Sequence, residues 1–197
     1  MSFLKKIFST KIETPKEKSI KNQAVHLSLD DLFVNNFINK GGKFLYCTSY
    51  NEVIWNLIEI LDENNWKSIV CLNEKKLSKF TDALSIDVNY DINKKLPVFC
   101  SCEHIISDTG SILFSSNQLK EKKLQELSNN FIVLAKTSQM VKDMGESLMG
   151  INSNYKTHIP TNICAIKSYS PSTEEDDILS NPNSNSKNLY LLLLEDL

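Results

Sequence analysis

The stretch Cys102-Glu103-His104-Ile105-Ile106-Ser107-Asp108-Thr109-Gly110-Ser111-Ile112-Leu113-Phe114-Ser115-Ser116-Asn117-Gln118 sets a short apolar run on either side of Asp108-Thr109-Gly110-Ser111. Gly110 is the only glycine between Gly42 and Gly145, and it stands where the chain has to reverse. The pattern predicts a strand, a tight turn and a second strand, with Gly110 at positive φ or in close backbone approach. Such a turn gathers backbone N–H groups with the Thr109 and Ser111 hydroxyls, a donor cluster that suits an anion without needing a charged side chain. The same hydroxyls also serve a plain hairpin by satisfying its own backbone.

Outward from this hairpin, Phe44 to Cys47, Ile69 to Leu72, Pro97 to Cys100, Phe131 to Ala135, Ile163 to Ile166 and Leu189 to Leu194 are short apolar runs. Strands that are apolar on both sides belong to a parallel sheet covered on both faces. Ser28 with Asp31, and Ser49 with Glu52, have capping-box spacing and open helices predicted at about 12 and 16 residues. Gly41 closes the first helix, and Ser138 to Leu148 is also helix-like. Strands alternating with helices predict an α/β fold of three layers, α/β/α, with a mostly parallel sheet.

The 197 residues suffice for one domain, assigned to 25–197, which would bury roughly 70% of its unfolded surface. Residues 1–24 differ in character. Up to Asn22 they hold six lysines against two glutamates, a local charge of +4 in a chain whose net charge is −2. Phe3, Leu4, Ile7 and Phe8 share one side of a short helical pattern with Lys5, Lys6 and Lys11 around it, so residues 1–11 suit weak contact with an anionic membrane surface. No apolar run reaches the roughly 18 residues of a membrane-spanning helix. Ser168 to Asn188 is rich in Ser, Asn, Pro and acids, and a loop that long is a candidate pocket rim or partner surface.

All 22 basic residues are lysine. Without arginine the usual fork for guanine edges and phosphates is missing, so no nucleic-acid partner is expected. The five cysteines are an odd number and lie mostly in apolar runs. That usage argues against a disulfide framework and, with no secretory leader, for a reducing cytoplasm. Cys100 and Cys102 share one side of a strand but lack further ligands at close spacing. His26, His104 and His158 are dispersed, so neither a metal site nor a cofactor is expected.

Asp108-Thr109-Gly110-Ser111-Ile112-Leu113, then Asn130 to Ala135 and Ser138 to Leu148, resemble in order the LUD domain of lactate utilization proteins, of the C type. The resemblance runs from about Asp30 to the C-terminus. It departs from the family where many members carry Gly-Pro-Ser-x-Thr-Ala-Asp-Ile; here Lys167-Ser168-Tyr169-Ser170-Pro171 and Glu174-Glu175-Asp176-Asp177-Ile178 stand instead. A late His-Gly-Pro is replaced by Asn183 to Lys187. The resemblance implies a fold similar to the NagB/RpiA/CoA-transferase group and an auxiliary, ligand-binding subunit of L-lactate oxidation beside an iron–sulfur partner. It is also compatible with an independent acyl- or sugar-phosphate-processing enzyme, or with a membrane-recruited adaptor.

The candidate ligand-binding residues are Asp108, Thr109, Gly110, Ser111, Lys136, Thr137 and Ser138. In a parallel sheet, ligands gather at the carboxyl ends of strands. Both groups are expected at that edge, with Thr137 or Ser138 capping the next helix and Lys136 adding a positive charge. Together they suit a small organic acid or a phosphate-bearing ligand.

Overall fold

The computed structural model describes residues 28–169 and 185–196. The basic extension of residues 1–24 lies outside these, as do Glu174 to Asp177 and most of the Ser/Asn-rich stretch. Among the described residues, six parallel strands form the central sheet in the order β1 (Lys43–Cys47), β10 (Asn188–Leu194), β7 (Asn130–Lys136), β4 (Val98–Ser101), β2 (Ser68–Cys71) and β3 (Asp87–Asn89).

Successive residues of these strands point into different cores, as the period of two requires. Phe131, Val133, Ala135, Leu189, Leu191 and Leu193 enter one cluster, which α1 (Leu29–Asn39) covers with Phe33 and Phe37. Ile132, Leu134, Tyr190, Leu192 and Leu194 enter the other, covered by α2 (Tyr50–Glu63) and α3 (Glu74–Thr81). This is the α/β/α arrangement that the apolar runs predict.

Local chemistry sets the helix ends. The Ser28 and Ser49 hydroxyls accept from the Asp31 and Glu52 N–H groups, three residues on in each case. Each cap satisfies a donor that the first turn leaves open. The chain leaves α1 through Gly41, whose φ of 88° is left-handed and suits glycine.

A small second sheet lies on the α1 side, in the order β8 (Met140–Val141), β5 (His104–Ile106), β6 (Ser111–Phe114) and β9 (Cys164–Ile166). Strands β5 and β6 are the expected hairpin. Ile163 to Ile166, expected in the main sheet, instead supplies β9, antiparallel to β6. The helix expected over Ser138–Leu148 also starts later. Thr137–Gln139 is a 3-10 turn, β8 follows, and α5 (Met144–Asn154) is capped by Asp143, whose carboxylate accepts from the Glu146 N–H. Thr137 and Ser138 are not available as caps because both bind Asp196.

Gly110 fastens the hairpin to α1. Its φ is 59°, and a Cβ there would lie 2.6 Å from the Asn36 carbonyl carbon and 2.6 Å from the Phe37 nitrogen. Around it, Asn36 donates to the Ser107 and Asp108 carbonyls at 2.9 and 3.0 Å, Lys40 donates to the Thr109 carbonyl, and the Tyr169 hydroxyl donates to the Gly110 carbonyl at 2.7 Å. Tyr169 packs its ring on Phe37 at 4.4 Å between centroids. Gly110→Ala is therefore expected to destabilise the domain by about 3 kcal/mol, left-handed strain and a backbone clash adding. Thr109→Ala, at an exposed position, should cost less than about 0.5 kcal/mol. Urea unfolding of both variants checks the contrast.

Candidate functional site

The carboxyl ends of β2 and β4 lie side by side, and from them the chain departs to opposite faces of the sheet. After β2 it enters α3 on one face; after β4 it doubles back into β5 on the other. Divergence of this kind opens a crevice at the strand ends. Asn73 spans it in a left-handed conformation (φ 66°), accepting from the Ser101 hydroxyl at 3.2 Å and donating to the Asn117 carbonyl at 2.5 Å.

On one side of this bridge is a cavity of about 420 Å³ whose lining includes Tyr50, Lys76, Lys79, Ser101, Lys136 and Gln139. Three lysines face it, and among its described lining residues there is no acid. The Lys79 ammonium sits 3.4 Å from the centre of the Tyr50 ring. The proximity of this ammonium lowers the Tyr50 pKa. On the other side is a chamber of about 530 Å³ between the start of α3 and the residues Tyr90, Asn117, Lys120 and Tyr155. Lys76 lines both.

Behind the larger chamber Glu103 is buried, 8% exposed, and well supplied with donors. One carboxylate oxygen accepts from Ser115 Oγ at 2.6 Å, Asn117 Nδ2 at 2.8 Å and Gln118 Nε2 at 3.1 Å; the other accepts from the Tyr155 hydroxyl at 3.2 Å. Burial by itself would raise the Glu103 pKa, but these hydrogen bonds outweigh it and hold the carboxyl below its ordinary value. The carboxylate thereby ties the β4–β5 turn to α4 (Ser116–Leu119) and to the end of α5, and fixes Asn117 and Tyr155 in the chamber wall.

The expected site residues separate into two places. Lys136, Thr137 and Ser138 are at the carboxyl edge, and Lys136 lines the smaller cavity. They already hold a carboxylate, that of Asp196. It receives Lys136 Nζ at 3.1 Å, Thr137 Oγ1 at 2.9 Å, and Ser138 N and Oγ at 2.9 and 2.8 Å. Burial opposes ionisation of Asp196, yet these donors prevail and pull its pKa far down. Asp108, Thr109, Gly110 and Ser111 lie instead at the amino end, against Asn36 and Lys40, which precede β1. The two groups are about the length of a five-residue strand apart, roughly 15 Å. Ser111 is 1% exposed, and its Oγ, like that of Ser107, is buried without a hydrogen-bond partner.

Burial pushes the thiols up: Cys71 to about 12, Cys100 and Cys102 further. These cysteines pack within the two apolar clusters, where burial favours the neutral thiol. Burial lowers the His104 pKa, and its Nδ1 lies 2.9 Å from the buried Ser147 hydroxyl. Among the described residues no group of three or more His, Cys, Asp or Glu is placed to hold a metal ion, and no helix is long and apolar enough to cross a membrane.

The family model described as LUD domain matches residues 33–194. The chain belongs to the LUD domain family. No curated protein matches it. Among solved structures it is similar to a DUF162 family protein from Deinococcus radiodurans, with a TM-score of 0.58 and 12% identity over 85% of this chain and 99% of that one. At that identity the likeness speaks for the fold. The LUD frame thus extends over the hairpin, Glu103 and the lysine-lined crevice alike.

Sequence reasoning missed Lys76, Lys79 and Glu103. The signal for the lysines was the helix Asn73-Glu74-Lys75-Lys76-Leu77-Ser78-Lys79-Phe80, which starts where the Ile69–Leu72 strand ends and buries Leu77 and Phe80. Glu103 stood in the decisive stretch itself, a lone acid between a strand end and two isoleucines.

Because the folded pKa of Glu103 is lowered, its contribution to stability is present above the ordinary glutamate range and is lost as pH falls through the folded value. Glu103→Gln puts an amide donor among four donors and should cost about 2–3 kcal/mol at neutral pH. Urea unfolding across an acid pH series should find wild type and variant converging at low pH. Parallel curves would contradict the network.

Proposed function

We propose that this LUD-domain chain is a ligand-binding component of an organic-acid oxidation system. It takes a small carboxylate such as L-lactate, or a phosphate-bearing ligand, in the crevice lined by Lys76 and Lys79, next to the Lys136–Asp196 pair, and leaves electron transfer to an iron–sulfur partner subunit. The observation that carries this reading is the convergence of Lys76 and Lys79 from α3, beside a Lys136 that is paired with Asp196, on one cavity with no acid among its described lining residues, at the divergence of β2 and β4. Several ammonium groups facing a half-enclosed space attract an anion more strongly than the same charges spread over a surface. The Tyr50 phenol adds a polar group that can orient a carboxylate, and the Ser101 oxygen, whose proton goes to Asn73, can accept from a neighbouring hydroxyl.

An auxiliary role agrees with the chemistry of the remaining groups. Burial raises the Cys71 and Cys102 thiols, which disfavours an unassisted thiolate for attack on an acyl group. The Glu103 carboxylate is engaged with four donors and so is not free to act as a base or nucleophile. These points weigh against the independent acyl- or sugar-phosphate-processing enzyme.

Titration calorimetry of the full chain with L-lactate, other small hydroxy acids and inorganic phosphate tests the reading. Lys76→Ala and Lys79→Ala are each expected to weaken binding about tenfold, the loss of one charge-assisted contact. Thr109→Ala, at the opposite end of the sheet, should bind as the wild type does. Binding that is lost with Thr109→Ala but kept in both lysine variants would move the site to the turn, and no binding by any of these anions would remove the anion reading.

A further inference from the structure

On the far side of the main sheet from the lysine crevice, α1 and β1 border a groove of about 630 Å³. Val34, Phe44, Met140 and Leu193 give it an apolar floor, and Asp30, Asp31 and Glu195 an acidic rim, with no lysine among its described lining residues. At its mouth Leu29 and Tyr46 are 43% and 49% exposed. In a chain with 22 lysines, an apolar groove whose charged described lining residues are all acids, with Thr137 and Ser138 beside them, is fitted to a basic, apolar occupant.

Such a segment precedes the groove in the same chain. Ser28, the first described residue, adjoins Leu29 and Asp30 in the groove wall, so the preceding residues reach the chain's described part at the groove itself. Phe3, Leu4, Ile7 and Phe8 carry the apolar surface, and Lys5, Lys6 and Lys11 the charge. We propose that this N-terminal segment, Phe3–Lys11, docks in the groove of its own chain, with its apolar side chains on the Val34–Phe44–Leu193 floor and its lysines against Asp30, Asp31 and Glu195.

The length of the connection makes this feasible. About twenty residues separate Phe8 from Ser28, and a coil of that length spans roughly 25 Å on average, comparable to the size of the groove and its surroundings. A tether that short keeps the segment at a local concentration on the order of millimolar, so an intrinsic Kd of about 0.1 mM leaves it docked about ten times out of eleven. The inference stands apart from the lysine crevice, which shares none of the groove's lining residues.

Hydrogen–deuterium exchange on the full-length chain tests it, with every substitution placed in the segment so that the described domain is untouched. Exchange of amides in residues 29–34 and 43–47 is expected to be several-fold faster in Phe3→Asp/Leu4→Asp/Phe8→Asp and in Lys5→Glu/Lys6→Glu than in wild type, while residues 98–101 and 130–136 are unchanged. Equal rates at the groove in all three proteins would overturn the proposal. Protection that rises with protein concentration would overturn the intrachain form in favour of exchange between two copies. Wild-type chain that floats with vesicles of phosphatidylcholine and phosphatidylserine, with groove exchange unaltered by the lipid, would show that the segment faces membrane instead.

Discussion

Burial of β4, β7 and β10 on both faces is the constraint from which the other features follow. Their side chains alternate between two apolar clusters, and a buried aliphatic side chain contributes about 1.5–3 kcal/mol relative to exposure. A charge placed midway along such a strand would cost several kcal/mol in desolvation. Polar chemistry is therefore pushed to the strand ends, where Ser101, Lys136 and Asp196 stand. The crevice lies at the carboxyl ends because there the connections after β2 and β4 part to opposite faces.

Glu103 is the exception that organises this edge. It is a charge inside the protein, stable there because four neutral donors converge on it from α4, its cap Ser115 and the residue after α5. The same contacts hold Asn117 and Tyr155, which line the larger chamber. Asp196 plays a comparable part for the Lys136–Ser138 turn. There the chain's own carboxylate occupies donors that the sequence suggests for a ligand, and the lysines of α3 remain directed at the cavity beside it.

Features encoded over a few residues were legible in the sequence. Ser28 with Asp31 and Ser49 with Glu52 fixed two helix starts, and the lone glycine of Asp108-Thr109-Gly110-Ser111 fixed a hairpin whose αL residue is where the spacing put it. The three-layer fold followed from runs that are apolar at successive positions, and the resemblance to LUD domains agrees with the family match over residues 33–194. Features made by distant residues were not legible. Asp196 is 59 positions from Thr137, so the contact that occupies the Thr137–Gln139 3-10 turn could not be read locally, and the next helix begins at Met144 behind its own cap, Asp143. Strand order decides which end of the sheet a turn occupies, and nothing local to Thr109 or Lys136 reveals that the two lie at opposite ends. Lys76 and Lys79 looked like two of many surface lysines until α3 was seated on β2.

The claim that the lysine crevice is the anion site is tested most directly by locating an anion with an anomalous signal. Crystals of the full chain soaked in arsenate should show a peak within about 4 Å of the Lys76 and Lys79 ammonium groups, an ion-pairing distance. A peak confined to the Thr109–Ser111 turn, with none between α3 and the end of β7, would contradict the account.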